Sequence, residues 1–152
     1  MEVAAADPRT SEIMLANRFT LLDASTLPRL LPTCAERGVR VVVAAVFASG
    51  LLARPEPAGH FDYAEAPPEV VEQARAVAAV CREHGTDLPT AALHYVARHP
   101  AVTRVCFGAR TPTQLRQTLE RVAAAPPEAL WADLAERGLA PDPAVTSPEE
   151  RP

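Results

Sequence analysis

The segment Thr103-Arg-Val-Cys-Phe-Gly-Ala-Arg-Thr-Pro-Thr-Gln-Leu-Arg-Gln-Thr-Leu119 is typical of a strand followed by a helix: an apolar run enters a glycine loop that opens directly into a helix. Thr111 is placed to act as the helix N-cap, Pro112 fits the first helical position, and Gln114 completes a Thr-x-x-Gln capping box. A helix start presents unpaired N–H groups and the positive end of the helix dipole, so it suits a phosphate. Arg110 adds a planar charged group for the same anion.

A second apolar run with a glycine loop lies upstream. The nearly unbroken apolar segment of residues 39–47 is typical of a parallel strand buried on both faces, and Ala48-Ser49-Gly50 turns the chain at its end. Ser49 is interpreted as a turn residue and not as a nucleophile, because no His and Asp partners are recognisable. The two strand–loop units together predict one side of a nucleotide site.

Composition excludes several classes of function. The chain has 152 residues, is 48% hydrophobic and carries a net charge of −4, as expected for one globular domain without a nucleic-acid surface. All fifteen basic residues are Arg, scattered singly, and there is no Lys.

The three cysteines, Cys34, Cys81 and Cys106, are widely spaced and predict reduced thiols; no His, Cys or carboxylate spacing predicts a metal site. The N-terminal residues lack the apolar core of a signal peptide, and no stretch is long enough to span a membrane. We therefore expect a soluble cytoplasmic protein.

Hydrophobic periodicity predicts alternating strands and helices. The strands are residues 13–22, 39–47 and 102–107. The helices run from Ser25 or Thr26 to Arg37, where Gly38 ends the first, and over residues 68–84, 88–98, 112–124 and 127–137. Residues 54–66 form a long loop with His60, Asp62 and Tyr63, of a length often found in functional loops.

This order predicts an α/β fold with a parallel sheet. Residues 1–11 are predicted to be a flexible segment, residues 12–140 the folded part and residues 141–152 a disordered tail. Three parallel strands leave two exposed edges, so the chain is expected to be part of a larger sheet.

Three motifs carry a family resemblance: Met14-Leu-Ala-Asn-Arg-Phe-Thr-Leu-Leu-Asp23, Ala44-Ala-Val-Phe-Ala-Ser-Gly-Leu-Leu52 and Gly108-Ala-Arg-Thr-Pro-Thr-Gln-Leu115. They resemble the sixth, seventh and eighth strand regions of aldo/keto reductases, and the subgroup they are most like is the L-fucose or D-threo-aldose 1-dehydrogenases. The resemblance implies a partial (β/α)8 TIM barrel with its site at the carboxyl ends of the strands.

The resemblance also implies which parts of the machinery this chain holds. The family's catalytic Asp, Tyr, Lys and His lie in the first four strands, so no catalytic residue is assigned here. Tyr63, Tyr95 and the four histidines match none of those motifs; His84 and His94 are interpreted as structural, and residues 60–62 are a candidate substrate contact.

By resemblance, this part of the family contacts NAD or NADP. Phe47, Ser49, Gly50 and Leu51 would wrap the pyrophosphate, and Gly108, Ala109, Arg110 and Gln114 would meet the adenosine ribose or its phosphate. Gln117 and Thr118 lie where the family usually places a Glu–Asn pair against adenine. Ala44 replaces a Tyr that stacks on nicotinamide, and Ala48 replaces an Asn; each departure weakens the expected binding.

Three functions stay open. The first is the cofactor-holding portion of an aldose 1-dehydrogenase that needs the catalytic residues from another chain or another part of the gene product. The second is a non-catalytic remnant or interaction protein that pairs with a second copy of itself or another protein through its sheet edges. The third is an unrelated phosphate-binding α/β module. NAD and NADP are not distinguished, because Arg110 favours a phosphate whereas Gln114 is neutral.

Overall fold

A computed structural model describes residues 2–57, 60–61 and 64–145. The strands are β1 (Glu12–Ala16), β2 (Arg40–Ala44), β3 (His60–Phe61), β4 (Ala64–Glu65) and β5 (Val102–Cys106). The helices are α1 (Glu2–Ala6), α2 (Leu30–Arg37), α3 (Pro68–Glu83), α4 (Leu88–Ala97), α5 (Pro112–Ala123) and α6 (Ala129–Glu136). A 3-10 turn covers Ala48–Gly50.

The central sheet has three parallel strands in the order β1-β2-β5. Helix α2 connects β1 to β2, while α3 and α4 connect β2 to β5. Parallel neighbours need such crossovers, because a short turn reverses the chain direction. The predicted α/β class and parallel sheet are confirmed.

The two faces of this sheet differ in burial. Leu15 pairs with Val43, and Val43 pairs with Val105, so these side chains share the face that packs against the helices. Met14, Val42 and Arg104 follow one another on the opposite face, as the alternation of strand side chains requires. Met14 is 58% exposed. Within the described part of the chain, the face with Leu15 and Val43 is therefore covered more fully than the face with Met14.

Aromatic side chains join the C-terminal helix to the core. The Tyr95 ring lies 5.6 Å from that of Phe19 and 6.3 Å from that of Trp131, and its hydroxyl donates to the Pro141 carbonyl at 2.9 Å. The Arg98 guanidinium stands 4.9 Å from the Trp131 ring centre. These contacts hold residues 129–141 against α4.

The predicted helices and strands extend beyond the observed ones, and the difference is largest, at least four residues, in the first two strands and in the first helix. The strand predicted over residues 13–22 ends at Ala16, because Asn17 has a φ of 60° and leaves the extended conformation. The strand predicted over residues 39–47 ends at Ala44 for the same reason, with Ala45 at a φ of 56°. Helix α2 begins at Leu30 rather than near residue 25, because residues 25–29 form turns, and it ends at Gly38 in the left-handed conformation as predicted.

Helix α1 forms where the sequence predicted only a flexible segment. Ala5 is fully buried against the core, and Arg29 donates to the Glu2 carboxylate at 2.8 Å. The flexibility of residues 1–11 as a whole stays a prediction. At the other end, Asp142 of the predicted tail (residues 141–152) pairs with Arg98 at 2.9 Å. Residues 146–152 of that tail lie outside the described residues, and its disorder stays a prediction.

The loop predicted over residues 54–66 contains a short antiparallel pair, β3 with β4. Strand β3 contacts the 3-10 turn that follows β2. Asp62 and Tyr63, candidates from the sequence, lie outside the described residues. The loop therefore holds local structure that its Pro and Gly content did not predict.

The described part of the chain shows no helix that is both long and apolar enough to cross a membrane. All three cysteines are free; Cys34 and Cys81 are buried and Cys106 is exposed. Burial, with a smaller contribution from the Asp87 charge, raises the pKa of the Cys81 thiol to about 12. Cys81 is therefore an unreactive core thiol at neutral pH.

The buried His99 makes the stability depend on pH. It is 1% exposed, its Nδ1 accepts from the Ala101 N–H at 3.2 Å, and its Nε2 has no hydrogen-bond partner among the described residues. Burial lowers the pKa of His99, so the folded chain binds the proton less readily than the unfolded chain. The contribution of the neutral, buried His99 to the free energy of unfolding is complete above the unfolded-state pKa of about 6.5 and is lost as the pH falls toward the folded-state pKa.

We expect the urea midpoint of the wild type to decrease when the pH is lowered from 7.5 to 5.5. The decrease should be smaller in His99→Gln, because the Gln amide oxygen can accept from the Ala101 N–H but does not titrate. Urea unfolding followed by circular dichroism at both pH values measures the difference. An equal fall in the two proteins would show that His99 contributes nothing to it.

Candidate functional site

The turn after β2 is compact and conformationally demanding. Ala45, Ala48, Ser49 and Gly50 all have positive φ, with Gly50 at 106°. The Gly50 and Leu52 N–H groups both donate to the Phe47 carbonyl, at 2.9 and 3.1 Å. Each left-handed residue other than glycine costs on the order of 1 kcal/mol, and burial of the Ala48, Leu51 and Leu52 side chains offsets this cost.

The loop after β5 leads into a capped helix. Thr111 Oγ1 accepts from the Gln114 N–H at 3.2 Å, which confirms the predicted N-cap of α5. The Gln114 Oε1 accepts from the Arg110 N–H at 2.9 Å, one residue before the cap itself. In the usual capping box this second bond returns to the cap residue. The acceptor of Gln114 is therefore engaged, and its amide N–H2 group is the end that can donate to a ligand.

These two loops meet in a cavity of about 680 Å³. They meet because β2 and β5 are adjacent and parallel, so both loops leave the same edge of the sheet. The cavity is lined by Phe47, Ser49, Gly50, Ala53, Arg54, His60, Gly108, Arg110, Gln114, Gln117, Thr118 and Arg121. A cavity of this size is typical of a small-molecule or cofactor site.

Most residues predicted to contact a cofactor line this cavity; their role stays a prediction. Leu51 does not line it, because its side chain is fully buried in the core beneath the turn. Ala109 is exposed and is not part of the lining either. The structure adds Ala53, Arg54 and Arg121, which the sequence did not suggest, and places His60 at the same cavity.

The charge of the lining favours an anion. It includes three Arg residues and one His, and no carboxylate is found among the described residues that line it. Arg54 and Arg110 make no ion pair within the described part of the chain, so their charges are available to a ligand. The start of α5 adds its N–H groups and dipole at the same cavity.

Arg121 differs from the other two arginines. Its Nε and Nη2 both donate to Asp87 Oδ2, each at 3.2 Å. Asp87 is the N-cap of α4 and accepts from the Thr90 N–H at 2.9 Å. Burial opposes ionisation of Asp87, but the hydrogen bonds from Thr90 and the Arg121 charge outweigh it and hold the pKa of Asp87 below its usual value.

The two histidines interpreted as structural, His84 and His94, and Tyr95 do not line the cavity. The His94 Nε2 lies 3.1 Å from the Arg121 carbonyl, and the His84 Nε2 lies 2.9 Å from Asp133 Oδ2, so both rings bridge helices. Tyr95 is buried in the aromatic cluster. No group of three His, Cys, Asp or Glu side chains suited to a metal ion occurs among the described residues.

Comparison with known proteins connects this geometry to one family. The aldo/keto reductase family model matches residues 1–136. The chain is 41% identical over 133 residues to D-threo-aldose 1-dehydrogenase from a Pseudomonas species, and 36% identical over 127 residues to pyridoxal 4-dehydrogenase from Microbacterium luteolum. These matches cover 86% and 83% of this chain but 40% and 37% of the two relatives.

A solved structure shows the same architecture. The holo form of an aldo-keto reductase from Bacillus halodurans superposes with a TM-score of 0.65 at 25% identity, over 99% of this chain and 49% of that one. Its apo form gives a TM-score of 0.61 at 26% identity. The chain thus spans about half of that structure and about two-fifths of the two dehydrogenases, and the predicted partial TIM barrel is confirmed. The chain belongs to the aldo/keto reductase family, as its three sequence motifs indicated.

Proposed function

We propose that this chain holds the nicotinamide dinucleotide, NAD or NADP, of an aldo/keto reductase that oxidises an aldose. The observation that carries the proposal is the cavity between the β2 turn and the start of α5, which is lined by cations. Its cationic lining and exposed helix start fit a pyrophosphate.

In this proposal, different parts of the cavity contact different parts of the dinucleotide. The β2 turn, Phe47 to Leu51, packs around the pyrophosphate, with Leu51 contributing backbone only because its side chain is buried. Arg110 and the amide of Gln114 face the adenosine ribose or its phosphate. Gly108 and Ala109 belong to the loop that leads from β5 to Arg110, and Gln117 and Thr118 continue the cavity along α5.

When bound, the dinucleotide would supply the hydride acceptor for oxidation of a sugar at its anomeric carbon. The sugar loses its anomeric hydroxyl proton to a base and becomes a lactone. An aldose is proposed because D-threo-aldose 1-dehydrogenase is among the relatives.

We propose that the base and the other catalytic groups come from outside these residues. The chain contains no Lys. Burial raises the pKa of the Tyr95 phenol far above its usual value, and its hydroxyl donates to the Pro141 carbonyl. A buried phenol in the aromatic core is not placed to exchange protons with a sugar. We also propose a cytoplasmic location, in keeping with the three free thiols.

A second candidate function, association with another chain, rests on an apolar stripe of α5. Leu115, Leu119 and Val122 are 45%, 54% and 48% exposed, and their spacing places them on one side of the helix. Beside them lies an apolar hollow of about 280 Å³ that includes Phe107 and Val105, at the edge strand β5. Such a patch is typical of a protein-binding surface. Its partner would be a chain with the remaining barrel strands or a second copy of this one.

Arg110→Ala tests dinucleotide binding. We expect the dissociation constants of NADP+ and NAD+, measured by calorimetry, to be in the range of a bound cofactor for the wild type. Loss of one charge-assisted contact of about 1.5 kcal/mol weakens binding roughly tenfold. A larger loss for NADP+ than for NAD+ assigns Arg110 to the extra phosphate.

The control for this experiment is Arg116→Ala, an exposed arginine of the same helix that does not line the cavity. It should leave both affinities unchanged. If the wild type binds neither dinucleotide, the proposed function is wrong.

Leu119→Glu tests the association surface. We expect it to reduce self-association, or association with a chain that supplies the other barrel strands, because a carboxylate cannot be buried unpaired in an apolar contact. Sedimentation velocity measures this, and circular dichroism checks that α5 still forms. Glu120→Gln, on the same helix, is a control that leaves the stripe intact. If the wild-type chain stays monomeric both alone and when mixed with a chain that supplies the other barrel strands, the proposed association function is wrong.

A further inference from the structure

One face of the central sheet, which we call the open face, carries Met14, Val42 and Arg104 and bears ionic side chains at its amino end. Glu12 pairs with Arg40 two residues before Met14 pairs with Val42, so both side chains lie on the open face as well. The Glu12 Oε2 atom accepts from Arg40 Nε at 3.3 Å and from Arg104 Nη2 at 2.6 Å. Arg104 therefore reaches from β5 across β2 to a carboxylate on β1.

This cluster of Glu12, Arg40 and Arg104 has an excess of positive charge. Two guanidinium groups share one carboxylate, and neither arginine makes another ion pair among the described residues. Their side chains are 53% and 64% exposed. An arginine has five N–H donors, and Glu12 takes one from each of these two. Water satisfies the remaining donors only while the open face stays uncovered.

The rest of the open face is suited to contact with another protein segment. Met14 is 58% exposed, and Cys106, which follows Arg104 on the same face, is exposed as well. Parallel sheets are normally covered on both faces. Covering this one takes two arginine side chains out of water, and a guanidinium buried without a counter-charge is strongly unfavourable. The element that covers the open face must therefore bring a carboxylate.

The charge of the open face also distinguishes between possible partners. A second copy of this chain, placed face to face, would bring two more arginines and one more glutamate, so the excess would rise from one charge to two. A different chain that carries a carboxylate at the same place removes the excess. The open face thus disfavours pairing with itself and favours an acidic partner.

We propose that the open face docks a different chain through a carboxylate that pairs with Arg104, the more exposed of the two arginines. This inference rests on the second candidate function, association with another chain, and names the chemistry of the partner. Met14 supplies an apolar contact, and the carboxylate fixes the position of the partner on the sheet.

The test uses as its probe the part of the Pseudomonas D-threo-aldose 1-dehydrogenase that lies outside its match to this chain. The probe is added to the full chain, and its dissociation constant is measured by calorimetry. Labelling of Cys106 by a thiol reagent reports where the probe binds, because Cys34 and Cys81 are buried whereas Cys106 lies on the open face. We expect slower labelling in the complex and an affinity that falls as the salt concentration rises.

Two substitutions in the cluster should act in opposite directions. Arg104→Met leaves the carboxylate of the partner unpaired, so we expect the dissociation constant to rise about tenfold or more, whereas Arg104→Lys keeps the charge and should lose less affinity. Glu12→Gln removes the competing carboxylate and should tighten binding. A role limited to holding the sheet together would make both Arg104→Met and Glu12→Gln weaken binding.

Arg29→Met is the matched control. Arg29 is an exposed arginine that also pairs with one carboxylate, that of Glu2 at 2.8 Å, but it lies outside the sheet. Its substitution should leave the dissociation constant unchanged. Circular dichroism checks that each variant is folded.

Several results would overturn the inference. If Arg104→Met binds the probe as tightly as the wild type or more tightly, the partner brings no carboxylate to this cluster, and the inference is wrong while the association stands. An equal loss in Arg29→Met, or an unchanged labelling rate in a stable complex, would also contradict it. Slower labelling of the chain alone at rising protein concentration would show that a second copy covers the face. If the probe does not bind, the proposed association is wrong and the inference with it.

Discussion

Backbone hydrogen bonds between the parallel strands β2 and β5 determine where the loops of the cavity lie. These strands are distant in sequence, yet they pair in parallel over Val41–Ala44 and Val102–Cys106. Parallel pairing sends the α3 and α4 crossover over one face of the sheet and leaves both following loops at one edge. The cavity exists because of this placement, since neither loop encloses it alone.

Contacts between the helices hold the walls of the cavity in fixed positions. The aromatic contacts of Tyr95 and Trp131 hold α6 to α4, and the Arg121–Asp87 contact holds α5 to the start of α4. A cationic cavity whose walls are fixed in this way loses little entropy when an anion binds. The strained turn at Ala48–Gly50 is the local cost of the arrangement, and the buried leucines beneath it keep it in place.

Local signals in the sequence predicted the parts of the site that local forces decide. The cap of α5 at Thr111 and the glycine that ends α2 follow from contacts within a few residues, and both are observed. Other features depend on contacts made only in the folded chain. The end of β1 at Ala16 is set by the left-handed Asn17, and helix α1 is secured by burial of Ala5. Arg121 was missed because its partner Asp87 lies on another helix.

We propose that the loops after β2 and β5 form one dinucleotide site. Amide hydrogen exchange of the full chain, with and without saturating NADP+ or NAD+, tests this proposal. We expect slower exchange in residues 45–53 and 108–118 together, because both loops contact one ligand, with little change in α6. Unchanged exchange in both loops, or slowing confined to elements away from the cavity, would contradict it.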